Sequence, residues 1–214
     1  MRQLSLFMTL VLLLNSCSRS FEFQTYRDPK YPFVIKYLPN KMEADPFFEE
    51  DEHRYWVTVR AKFHDEFPDD YASEFAYDLY DVVIFQNVDA FEKFDNGLVN
   101  KKVTLEETEL NGCPAILVRN KKDGLPSSYL LLTPGVYAQV WFSGTDVRSG
   151  NPDEISQQFS DRVKEYTYQM VKYLKWNQKI DTLTPEFQSW KKHIWEVLKT
   201  SSIANHTSPQ TPKK

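Results

Sequence analysis

The chain has 214 residues, 41% apolar and 15% aromatic, with 26 Lys and Arg against 30 Asp and Glu. That is enough apolar material for one core, and too little positive charge for a broad basic face that would gather nucleic acid or anionic lipid, because phosphate binding draws its affinity from clustered cations. Two cysteines exclude a disulfide framework, and six glycines leave few tight backbone approaches to a phosphate.

The first segment is one basic residue, Arg2, then an apolar run from Leu4 to Leu14 broken only by Ser5 and Thr9. It reads as the hydrophobic region of a signal peptide and stops well short of the roughly 20 apolar residues of a membrane-crossing helix. The run ends in Leu14-Asn15-Ser16-Cys17, which resembles the bacterial lipobox: an aliphatic residue three before the cysteine and a small one directly before it. Asn15 is the departure from that pattern. The resemblance implies a signal peptide over residues 1–16 and a mature protein that begins at Cys17. A diacylglycerol thioether would sit on the Cys17 sulfur, often with a further acyl chain such as palmitate on its amine. Each buried methylene adds about 0.8 kcal/mol of membrane affinity, so two or three chains anchor stably. The other reading is an ordinary secretory signal, with Cys17 a free or disulfide-bonded residue of a soluble protein.

Cleavage removes one cation, Arg2, and no acid, leaving 25 Lys and Arg against 30 Asp and Glu, a net charge of about −5. With Cys17 lipidated, Cys113 has no intramolecular partner, and the exported domain rests on its core alone.

After a short linker over residues 17–20, Phe21 to Tyr26, Phe33 to Leu38 and Tyr55 to Phe63 alternate aromatic or apolar with polar residues, the period of half-buried strands. Asn40 to Glu52, acidic and holding Pro46, reads as a loop. From Asp69 the residues Tyr71, Phe75, Leu79, Val82 and Phe85 or Gln86 fall one to a helical turn behind the start signal Pro68-Asp69-Asp70, which predicts a helix, with a second short one through Val88, Phe91 and Phe94. Val103 to Leu110, Pro114 to Arg119, Ser128 to Leu132 and Val136 to Phe142 are separated by Asn111-Gly112, Lys122-Asp123-Gly124 and Pro134-Gly135, which predicts an antiparallel meander. Asn151-Pro152-Asp153-Glu154 then opens a helical stripe of Ile155, Phe159, Val163, Tyr166, Met170 and Leu174. A second cap, Thr184-Pro185-Glu186, opens a short aromatic helix from Phe187 to Leu198, and residues 199–214 read as a disordered tail.

The order predicts a single α+β domain over residues 21–198, an antiparallel sheet covered by helices. At this point the chain resembles the PsbP/Mog1-like family. The likeness is carried by Phe23 to Pro39 with its Tyr31-Pro32-Phe33-Val34-Ile35-Lys36-Tyr37-Leu38-Pro39 run, by Glu109-Leu110-Asn111-Gly112-Cys113-Pro114-Ala115, and by the long helix ending in Leu174-Lys175-Trp176. It spans about residues 21–176 and implies an α/β/α sandwich. Family members serve as binding or assembly factors with differing partners, so the likeness names no partner, and no functional residue carries over.

The chemistry-bearing residues are scattered. His53, His64, His193 and His206 lack metal-ligand spacing, and Asp51-Glu52-His53 and His64-Asp65-Glu66 flank one predicted strand at ends about 30 Å apart. Glu49 to Glu52 lack the spacing and mid-loop glycine of a calcium loop. Ser143-Gly144 stands outside any nucleophile motif, and Cys113 has no cationic neighbour to activate its thiol. Aromatic pairs Tyr77 and Tyr80, Tyr166 and Tyr168, with Trp190 and Trp195, suggest either a rim for protein contact or the seam between helix and sheet. The expectation is a bacterial lipoprotein held on the cell membrane or outer membrane, binding or scaffolding another envelope protein, with no cofactor, metal, catalysis or nucleic acid. The rival is a small-ligand carrier or an unfamiliar enzyme, with a pocket between the sheet and the helix from Tyr71.

Overall fold

The computed structural model describes residues 23–37, 47–63, 67, 76–92, 103–143 and 156–204. The predicted signal peptide, with the lipobox-like Leu14-Asn15-Ser16 and Cys17, therefore lies outside the described residues, as do 205–214 of the predicted tail. In chain order the strands are β1 (Gln24–Arg27), β2 (Phe33–Tyr37), β3 (Phe47–Glu50), β4 (Arg54–Lys62), β5 (Ala76–Phe85), β6 (Val103–Leu110), β7 (Cys113–Asn120), β8 (Pro126–Thr133) and β9 (Val136–Trp141). Helix α1 (Gln157–Met170), a 3-10 turn (Val171–Tyr173), strand β10 (Leu174–Trp176) and helix α2 (Pro185–Ala204) follow. Residues 88–92 form a short helical turn.

The predicted meander is present: β6, β7, β8 and β9 pair consecutively and antiparallel. Its first turn, Asn111-Gly112, has φ of 51° and 84°, the left-handed pair that matches the twist of a two-residue hairpin and that glycine adopts without strain. Beyond β9 the sheet continues through β5, β4 and β3, giving seven strands in the order β3-β4-β5-β9-β8-β7-β6. A separate three-stranded sheet, β1-β2-β10, holds the predicted first strand pair. The described residues thus form two antiparallel sheets where the sequence suggested one.

Several expectations are corrected. The helix predicted from Asp69 through Phe85 is, over its described part, the ten-residue strand β5. β5 lies between β4 and β9 and is buried on both faces, so nearly every residue from Leu79 to Phe85 is apolar and no alternation survives to mark a strand. A bulge adds to this: Val59 pairs Tyr80 and Arg60 pairs Asp78, so Leu79 is an extra residue that shifts the period. The loop predicted over Asn40 to Glu52 contains β3, paired to β4 at the sheet edge. The helix expected to reach Leu174 ends at Met170, and Leu174–Trp176 pairs with β2 instead. The tail expected from residue 199 is helical to Ala204.

Two apolar clusters occupy opposite faces of the large sheet, since Val82 and Ile84 belong to one and Val83 and Phe85 to the other. The first takes in Phe159, Val163 and Met170 of α1 and Phe33, Ile35, Leu174 and Trp176 of the small sheet. At its centre the Phe159 ring lies 5.5 Å from Phe63, 5.5 Å from Phe67 and 5.1 Å from Tyr77. The second takes in Phe187, Ile194, Val197 and Leu198 of α2. The terminal helix therefore covers the sheet. The helix N-termini are capped by Ser156, whose Oγ accepts from the Phe159 N–H at 3.1 Å, and by Thr184, whose Oγ1 accepts from the Phe187 N–H at 3.2 Å.

Candidate functional site

The acidic stretch singled out in the sequence is divided among separate partners. Asp51 closes the turn from β3 to β4: its Oδ1 accepts from the His53 N–H at 2.8 Å and the Arg54 N–H at 2.7 Å, and its Oδ2 from the Arg54 guanidinium at 3.1 Å. The His53 N–H, with these other donors, holds its carboxyl below the ordinary range. Glu50 pairs with Lys30 across to the β1–β2 turn, and exposed His53 meets Glu52 at 3.2 Å. His64, Asp65 and Glu66 lie outside the described residues, as does His206. His193 is on α2, where Nε2 lies 2.8 Å from the Tyr137 hydroxyl.

Cys113 is 3% exposed, and burial pushes its thiol up to about 12, helped by the nearby charge of Glu109. At neutral pH it stays a protonated packing group. Of the aromatics, Tyr80 is fully buried and leaves the predicted rim, whereas Tyr77, Tyr166, Tyr168, Trp190 and Trp195 are half-buried against helix or sheet.

Ser143 has a role that sequence reasoning missed. Its Oγ donates to Asp81 Oδ2 at 2.7 Å, while Thr58 Oγ1 donates to Oδ1 at 2.6 Å. Cross-strand pairing lines Thr58, Asp81, Trp141 and Ser128 in one row on the α2 side of the sheet. In the next row, fully buried Gln139 donates to Ser128 Oγ at 3.0 Å, and its Oε1 has no partner among the described residues. Burial pushes the Asp81 carboxyl above its ordinary range against the pull of its two hydroxyl donors. The row can hold a proton on Asp81, but the neighbouring cation, Arg60, is already engaged with Asp78 at 2.6 Å. A lone acid inside the apolar run Leu79 to Phe85 was its one visible signal.

The other candidate is a surface between α2 and β6. Glu107 takes Lys191 Nζ at 2.5 Å on one carboxylate oxygen and Trp195 Nε1 at 3.1 Å on the other. Around them runs an open groove of about 440 Å³, lined by Glu107, Gln188, Lys191, Lys192, Trp195 and Lys199. β6 ends the strand order of the large sheet, and register determines which of its backbone groups face outward. The two-residue turn makes Leu110 and Cys113 a hydrogen-bonded pair, so by alternation Val103, Leu105, Glu107 and Glu109 point their N–H and C=O away from β7. Pro114, which has no N–H to offer, sits opposite Glu109 at a position where β6 asks for none. A strand edge that no other described strand pairs with, beside a groove, can take an extended segment by strand addition.

The pocket imagined between the sheet and a helix from Tyr71 loses its helical wall, because residues 76–85 are strand β5. Comparison with protein-family models, with curated proteins and with solved structures finds no match to this chain.

Proposed function

We propose that the protein is a bacterial lipoprotein, anchored through lipid on Cys17, whose folded part is a non-catalytic binding or assembly module for another envelope protein. The observation that carries this reading is the apolar run ending in Leu14-Asn15-Ser16-Cys17. The non-catalytic half is supported by how the reactive groups are used: Asp51 in a turn, Cys113 as a buried thiol, and Asp81 held between two hydroxyls. The binding half is supported by the outer edge of β6 and the groove along α2. A PsbP/Mog1-like α/β/α sandwich is part of the proposal, supported by the strand pairing of Phe33–Tyr37 and by the Leu110 to Cys113 hairpin.

The test is the intact mass of the protein extracted from bacterial membranes, for the wild type and for Cys17→Ala. The expected result is a chain beginning at Cys17 with acyl chains added, and in the variant a precursor without them. An unmodified, soluble wild-type protein overturns the anchor. Turnover in a broad hydrolase screen that disappears in Asp81→Asn overturns the non-catalytic reading.

A further inference from the structure

The three-stranded sheet β1-β2-β10 has one face in the core and an outer face on which Thr25, Arg27, Lys36 and Lys175 are exposed around buried Val34. Phe33, Ile35, Tyr37, Leu174 and Trp176 fill the inner face. The register assigns the outer one: Arg27 stands across from Val34, Val34 from Lys175, and Thr25 from Lys36. By strand alternation Phe23, just before β1, shares the face of Thr25 and Arg27, and Tyr173, the last residue of the 3-10 turn before β10, packs its ring against Phe23. Phe23 and Tyr173 are 38% and 40% exposed, and their ring centroids lie 4.7 Å apart with the planes tilted by 39°, so two large aromatics pack on each other at the surface rather than in the core. Around them stand the exposed cations Arg27, Lys36, Lys172 and Lys175.

No residue of these three strands is Asp or Glu. The nearest acid in β1's wake, Asp28, turns its carboxylate inward to the hydroxyls of Tyr26 at 3.0 Å and Tyr55 at 2.5 Å. Lys30, beyond it, is engaged with Glu50. A chain of net charge −4 thus carries one face of cations and aromatics. The expectation of no broad basic face came from the average charge, which does not report a local cluster such as this one.

We infer that the outer face of the β1-β2-β10 sheet lies against the anionic lipid headgroups of the membrane that carries the anchor. The inference rests on the reading of Cys17 as the lipidated residue. Phe23 is six residues after Cys17, so at ~3.5 Å per residue the sheet begins within about 20 Å of the lipidated sulfur. Aromatic rings suit the headgroup level, where one edge is apolar and the other wet. Lysine and arginine near an anionic surface each strengthen binding about five-fold, within a screening length of about 8–10 Å. The geometry would hold β6 and the α2 groove in a defined orientation to the bilayer instead of letting the domain swing on its linker.

The full-length protein, purified from membranes, is placed in vesicles of phosphatidylcholine alone or of equal parts phosphatidylcholine and phosphatidylglycerol. A membrane-impermeant acetylating reagent then marks exposed lysines, read by peptide mass spectrometry. On the anionic vesicles Lys36, Lys172 and Lys175 are expected to react several-fold more slowly than on the neutral ones, with the difference lost at high salt, while Lys121 and Lys122 on the β7–β8 turn react alike on both. The double variant Lys36→Glu, Lys175→Glu, at exposed positions, is expected to abolish the protection of Lys172 and to stay in the membrane fraction. Equal reactivity on both vesicles, in a sample whose mass shows acyl chains on Cys17, overturns the surface and leaves the anchor standing. A sample without acyl chains that still sediments with anionic and not neutral vesicles overturns the anchor and supports the surface.

Discussion

Tyr80 and Asp81 are neighbours in β5 that point to opposite faces, and each holds a polar group where water does not compensate it fully. The Tyr80 hydroxyl is buried with no partner among the described residues, and burial raises its pKa well above that of a free phenol. An unmet buried hydroxyl costs roughly 1–3 kcal/mol. Tyr80→Phe, which keeps the ring, is therefore expected to raise stability by about 1 kcal/mol in urea unfolding; a loss of that size would show that the hydroxyl is bonded. For Asp81 the sign follows from its raised folded-state pKa. Between the unfolded value, about 3.9, and the higher folded value the native state binds more protons, so stability falls as pH rises through that window. Asp81→Asn mimics the protonated acid and keeps an oxygen for Thr58 or Ser143. Its stability relative to wild type is expected to be highest at neutral pH and to shrink as pH drops through the window, and a difference independent of pH would contradict the assignment.

Among the elements, those with local signals behave as the chain order suggests. Thr184 is one: its Oγ1 accepts the Phe187 N–H and donates to the Asp181 carbonyl at 3.0 Å. Thr184→Ala should cost about 1 kcal/mol, and Thr184→Ser should restore most of it, in thermal unfolding. Failure of serine to restore stability would assign the loss to the methyl group's packing. The start of α2, the Asn111-Gly112 hairpin and the strands β6 to β9 were legible because a cap, a left-handed turn or an alternating run is spelled out within a few residues. β5 was not legible, because burial on both faces and the extra Leu79 erase period two. Nor was β10, three residues long and defined by pairing with β2 far back in the chain. Of the Asp81 row the sequence showed only a lone acid in an apolar run, for the same reason: Thr58, Asp81, Ser128 and Ser143 come from different segments and meet through sheet register or side-chain hydrogen bonds.

At the scale of the whole molecule, the two apolar clusters share the strands of one sheet, which makes them mechanically one body. Phe159→Ala, in the first cluster, and Ile194→Ala, in the second, remove large buried side chains and should cost about 3–5 and 2–5 kcal/mol. Both should move a single transition seen alike by tryptophan fluorescence and far-ultraviolet circular dichroism; transitions that separate in either variant would show that the faces unfold independently. What the sequence by itself determined is local or compositional: the α+β character, the meander, and the aromatic stripe of α2. Tertiary structure alone decided that there are two sheets, that α2 covers one face of the larger, and that Arg27, Lys36 and Lys175 share the outer face of the smaller. The physical reason is that average charge and hydropathy are properties of a list, whereas a face is made by strand pairing, which joins residues that the chain keeps far apart.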